Sequence, residues 1–145
     1  PIISTSDIPV CGSCDSKMNF IFSLKTDEGI SLVFLCQADP GMCDDWDADS
    51  GDNAVLNYKS IEIESCSNYL INDSSLPQEQ SVGKLGGTPD WIQGDETPNC
   101  DCDKAMTFVA QVEESAHPDL NFGGHGSSYV FTCAPCNKSK FLWQS

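Results

Sequence analysis

Arginine is absent from this chain, histidine occurs only twice, and the seven basic residues are all lysines set against 22 acids, for a net charge of −15. A surface of that balance repels phosphate, which argues against a nucleic-acid or anionic-membrane binder and makes a basic protein the electrostatic match. Apolar runs are short, none approaching the ~20 residues that cross a bilayer as a helix. Hydrophobic residues make up 39% of the chain, so the core is modest and gains from an added staple. No nucleophile sits beside a base, and Gly86-Gly87 is followed by no lysine-serine pair that would cradle a phosphate. An enzyme would need an open metal position, with His125 or an aspartate from 44 to 52 as base. A calcium loop is suggested by Asp45, Asp47 and Asp49, but Ser50 and Leu56 stand where such a loop needs glycine and glutamate. Turns built from aspartate side chains suit this stretch better.

What the chain does have is cysteine, nine in all, eight of them in two similar sets. Cys11-x2-Cys14 is followed by Cys36 and Cys43, and Cys100-x-Cys102 by Cys133-x2-Cys136. Thiolates one or two residues apart reach one cation from a single turn, and a second pair delivered by a later strand completes a tetrahedron. The neighbourhoods repeat as well. Pro9, Cys11, Cys14, Asp15, Met18 and Phe20 align with Pro98, Cys100, Cys102, Asp103, Met106 and Phe108, while Gly29, Val33, Phe34 and Cys36 align with Gly126, Val130, Phe131 and Cys133. This is an internal duplication over residues 9–46 and 98–143, and each copy is a structural unit in its own right.

Two structural zinc ions are the expected cofactors, held by Cys11, Cys14, Cys36 and Cys43 and by Cys100, Cys102, Cys133 and Cys136. Each tetrathiolate site adds −2, taking the charge to roughly −19. Cys66 is left over as a buried or incidental thiol. Close pairs and an odd count point to a reducing compartment, hence the cytoplasm, with a secreted disulfide-stapled domain as the alternative.

Met18, Phe20, Phe22 and Leu24 alternate, predicting a half-buried strand over Lys17–Leu24, and Ile30–Cys36 returns as its hairpin partner. Asn53–Glu64 predicts one or two short strands, Met106–Val112 repeats the first strand, and Phe141–Trp143 packs on the second hairpin. Ile2 and Ile3 suit an edge strand. The expected fold is mainly β: two duplicated zinc-clamped β-hairpin repeats in one domain with little helix, joined by a polar linker at about 65–83. Gly86-Gly87-Thr-Pro89-Asp-Trp91 predicts a tight turn capped by a packed tryptophan. His117 and His125 fall in a glycine-rich loop and are expected at the surface. Trp46, Asp47, Asp49, Asp52 and Trp91 are the candidates for a partner-binding face. The first copy has no counterpart of Leu85–Trp91 ahead of it and Pro1 is no native start, so a longer protein is expected upstream.

Three stretches carry a family resemblance: Lys84–Trp91, then Pro98-x-Cys-x-Cys-x3-Met106-x-Phe108, then Tyr129-Val-Phe-x-Cys-x2-Cys136. Together they resemble the bacterial YwqG-like family of unknown function, and are similar to the amino-terminal region of eukaryotic programmed cell death protein 2. Cys36-x3-Pro-Gly-Met-Cys43-x2-Trp-Asp-Ala-Asp-Ser-Gly51-x-Asn53 also resembles a stretch of many YwqG-like proteins. The resemblance implies a β-rich bacterial protein of the family's cysteine-bearing subset. Some family members occur beside secreted-toxin gene clusters and the eukaryotic relatives act as binding chaperones for a basic ribosomal protein, so the resemblance implies the fold and leaves the partner open.

Overall fold

The computed structural model describes residues 6–59 and 83–145. These divide into two compact units, residues 6–45 with 50–59 and residues 46–49 with 83–145, and each unit contains the cysteine set of one copy of the repeat. The fold is mainly β, with little helix. No helix among the described residues is long and apolar enough to cross a membrane.

In the first unit, β1 (Asn19–Thr26), β2 (Gly29–Leu35) and β3 (Asn53–Lys59) form an antiparallel sheet in the order β1-β2-β3. Asp27 and Glu28 make the two-residue turn of the hairpin, closed by the Thr26–Gly29 pair. Ile61 and Ile63, the expected linker up to its last residue, Cys66, and the proposed edge strand at Ile2 and Ile3 lie outside the described residues. The second unit holds β4 (Gly83–Leu85), β5 (Thr107–Glu113), β6 (Ser127–Cys133) and β7 (Lys138–Gln144), antiparallel in that order. Phe141–Trp143 does more than pack on the hairpin. It lies within β7, which pairs with β6 along its whole length.

The expected alternation in the first strand is broken by a bulge. Phe20 pairs with Phe34, but Phe22 pairs with Val33, so one extra residue, Ile21, is inserted. An inserted residue moves all that follows to the opposite face. Met18 therefore packs with Ile30, Leu32, Phe34 and the cysteines, and Phe20 meets the Phe34 ring at 5.8 Å, whereas Phe22 and Leu24 are buried on the other side. The same bulge recurs in β5, between Phe108 opposite Phe131 and Ala110 opposite Val130. There Met106, Tyr129, Phe131 and Leu142 line the cysteine face, with Phe108 packed against them. On the opposite face Phe141 pairs with Val130 and meets the Phe122 ring. A sheet buried on both faces accounts for the nearly unbroken burial of β6.

The aligned glycines Gly29 and Gly126 are both points of close backbone approach. A Cβ on Gly126 would meet the Phe122 carbonyl oxygen at 2.0 Å and that of Gln144 at 2.6 Å, and one on Gly29 would meet the Tyr58 oxygen at 2.0 Å. Gly126→Ala is expected to cost about 2–3 kcal/mol, read as a lower urea midpoint of the second unit. An unchanged midpoint would show that the backbone there yields freely.

Candidate metal centres

Each centre begins with a tight turn that both copies build alike. In the first, Cys11 N–H donates to the Ser16 carbonyl at 2.8 Å, Asp15 N–H to Cys11 at 3.0 Å and Met18 N–H to Pro9 at 2.9 Å. In the second, Cys100 donates to Lys104 at 2.8 Å, Asp103 to Cys100 at 2.9 Å and Met106 to Pro98 at 2.9 Å. Asp15 and Asp103 both adopt left-handed conformations, φ 58° and 65°, which aspartate tolerates better than most residues. The one-residue difference between Cys-x2-Cys and Cys-x-Cys is absorbed inside the turn, ahead of the reversing aspartate. The hairpin then returns the chain, so that Cys36 and Cys133 arrive beside their turns.

The remaining ligand comes by different routes. Cys136 follows Cys133 across a 3-10 turn, Ala134–Cys136, ended by Asn137 at φ 50°, ψ 41°. Cys43 lies seven residues beyond Cys36, in a loop with no strand or helix.

Both foursomes converge, with all four sulphurs of each set within 4.8 Å of one another. Cys14 and Cys36 are 3.5 Å apart, Cys36 and Cys43 3.6 Å, Cys11 and Cys43 3.7 Å, and Cys102 and Cys133 3.8 Å. Four sulphurs at ~2.3 Å from a central ion in a tetrahedron lie ~3.8 Å apart, whereas disulfide sulphurs lie at ~2.05 Å. All eight described cysteines are free thiols at metal-type spacing. Cys11, Cys36, Cys43, Cys100 and Cys133 are buried; Cys14, Cys102 and Cys136 are exposed.

Electrostatics within each set favour a bound cation. The hydroxyl and backbone N–H of Ser16 bring the Cys14 thiol down to about 6, while burial, then Asp52, pushes Cys11 up to about 11. In the other set the backbone N–H of Cys102 lowers Cys100 to about 7, and the neighbouring thiols, Cys102 first, raise Cys136 to about 12. In each set one thiol is eased toward the thiolate and another is held back from it. A divalent ion beside the sulphurs stabilises the thiolate form of all four.

The candidate binding residues fare differently. Trp46 is 44% exposed, and its carbonyl accepts the Trp143 N–H. Asp47 accepts the Asp49 N–H at 2.9 Å, one of the side-chain turns expected in place of a calcium loop, and the Asp49 carboxylate is bound by Lys140. Asp52, expected on the binding face, is instead fully buried, with its carboxylate consumed by internal donors. Trp91 packs on the second core, its ring 4.6 Å from Tyr129 and 5.9 Å from Phe131, nearly parallel to the latter. His117 and His125 are exposed on the rim of an open depression, and neither belongs to a cysteine set.

Three residues that hold these elements in place escape a reading of the sequence. Gln144 in β7 accepts the N–H groups of Ile92 and Gln93 at 3.0 and 2.9 Å, and Gln111 in β5 accepts that of Asp90 at 2.9 Å, which fixes the segment bearing Trp91. Glu114 accepts the N–H groups of Phe122, Gly124 and His125, closing the histidine loop. Each reads in sequence as an ordinary surface residue; the only signal is a polar side chain adjoining an apolar strand.

Fold and centres together define a duplicated β protein with two tetracysteine clusters fit for metal. No protein-family model, curated protein or solved structure matches the chain.

Proposed function

We propose that the protein is a non-enzymatic binding module whose two centres hold structural zinc and whose acidic surface masks a basic protein. The observation that carries this reading is the donor set. Each cluster supplies four cysteine sulphurs, and an all-sulphur tetrahedron suits zinc while leaving no position for water or substrate. The charge supports the partner class. Of seven lysines, Lys84, Lys138 and Lys140 are already paired with Asp90, Asp101 and Asp49, so internal pairing consumes much of the small basic complement and leaves the acidic excess standing. The eukaryotic proteins that the chain resembles act as binding chaperones for a basic ribosomal protein, which is one form of such a role. Immunity to a toxin and escort of a nascent basic protein are its two biological forms. The cytoplasm, where thiols stay reduced, is the matching compartment.

Elemental mass spectrometry on protein purified without added zinc, with a thiol count after denaturation, tests the centres. Two zinc ions and nine thiols per chain are expected; no metal and one thiol would mean a disulfide framework and an exported protein. Pull-down from host extract tests the partner. The captured protein is expected to be rich in lysine and arginine and to be released as salt rises past about 0.15 M. A salt-insensitive partner would count against masking by charge.

A further inference from the structure

The fourth ligand of the first centre poses a problem that the second does not have. Cys136 is carried by the turn that starts at Cys133, but Cys43 rides on an irregular loop, which must be held if its sulphur is to stay in place. We propose that Asp52 is the positioning residue of the first metal centre, fixing all of its ligand-bearing segments from one buried point. Its side chain is 0% exposed, and it is the one buried acid among the described residues. Oδ1 accepts the Ser13 backbone N–H at 3.0 Å, and Oδ2 accepts the Ser13 hydroxyl at 2.7 Å and the Asp44 N–H at 2.9 Å. Ser13 lies inside the Cys11–Cys14 turn and Asp44 directly follows Cys43. The Asp52 backbone carbonyl accepts the Cys36 N–H at 2.9 Å, and the adjoining Gly51 carbonyl accepts that of Gly12 at 3.0 Å. All three segments that bring a ligand are therefore tied to this residue.

The Cys11 sulphur also donates to Oδ1 at 3.1 Å. That bond belongs to the thiol, whose proton leaves on metal binding; the other contacts involve no ligand sulphur and persist. Among the described residues of the second unit the buried polar side chains are Gln111, Ser127, Ser128 and Gln144, with no carboxylate among them. The end of the acidic stretch thus serves in the first copy as the 3-10 turn serves in the second.

This inference rests on reading the first cluster as a metal centre, and the experiment separates the two. Zinc is titrated into the full chain in competition with a chromophoric chelator, and the two sites are resolved in wild type, Asp52→Ala, Asp52→Asn and Ser13→Ala. Loss of an outer-shell partner typically costs 10–100-fold in metal affinity. Asp52→Ala is expected to weaken one site by about that factor and leave the other unchanged. Asp52→Asn, which keeps the shape and one acceptor oxygen, is expected to recover part of the loss. Ser13→Ala, which removes a single donor and leaves the backbone intact, is expected to weaken the same site by a smaller factor, and it carries the test if Asp52→Ala does not fold. Wild-type curves for Asp52→Ala or Ser13→Ala, or equal loss at both sites, would overturn the positioning role while leaving the metal centres standing. A wild-type chain that takes up no zinc would remove the metal reading itself.

Discussion

Cys133→Ser is expected to halve the zinc content, from two ions per chain to one, and to leave the second unit unfolded. The magnitude follows from comparing two quantities. Structural zinc sites contribute roughly 10–16 kcal/mol of apparent binding free energy at neutral pH, whereas a whole domain is stable by only about 5–15 kcal/mol. A unit this small cannot lose the first and keep its fold. Cys133 is 6% exposed at the end of β6 and belongs to the same cluster as Met106, Tyr129 and Phe131, so its loss also disturbs the adjoining core. Zinc content and thermal melting of the purified variant check this. The first centre is expected to keep its metal, since its ligands are all supplied by the first copy. Unchanged metal and unchanged melting would show that Cys133 is no ligand.

Phe131→Ala should destabilise the second unit by about 3–5 kcal/mol through packing alone. The ring is 1% exposed, lies 5.9 Å from Trp91 in a near-parallel stack, and meets Phe108 edge-on at 5.7 Å. Its removal opens a cavity under Trp91 that strand-bound neighbours fill only in part. For a unit of this size each kcal/mol is worth roughly 4–8 °C, so the transition of the second unit should fall by about 12 °C or more. Unlike Cys133→Ser, this variant is expected to hold two zinc ions below its melting point. That contrast separates packing from ligation, and a shift of under a few degrees would mean that Trp91 collapses into the space.

Much of the site is legible in residue spacing alone. The eight cysteines, their division into two sets and the hairpins that join them follow from short intervals and a duplication. These are local quantities: residues one to three apart in a turn have little choice but to converge, and an antiparallel return places the next cysteine beside its starting point. The left-handed aspartates are visible as an aligned pair, Asp15 with Asp103, although their backbone role is not.

Less is legible of what lies around the cysteines, and the departures share a cause. Period-two alternation puts Phe20 and Phe22 on one face, and a single inserted residue separates them. An acidic stretch suggests an exposed binding face, yet Asp52 is sealed inside and Asp49 is bound by Lys140. Gln111 and Gln144 hold the Trp91 segment from strands far away in the chain.

By itself, then, the sequence determined the two cysteine sets, the repeat and the β class, because turn spacing and strand periodicity are properties of neighbouring residues. Tertiary structure alone decided which acids are buried, which face each aromatic joins and how Cys43 is held. A buried charge is set by the donors that surround it, and those of Asp52 come from Ser13, Asp44 and the Cys11 thiol, brought to it only when the chain folds.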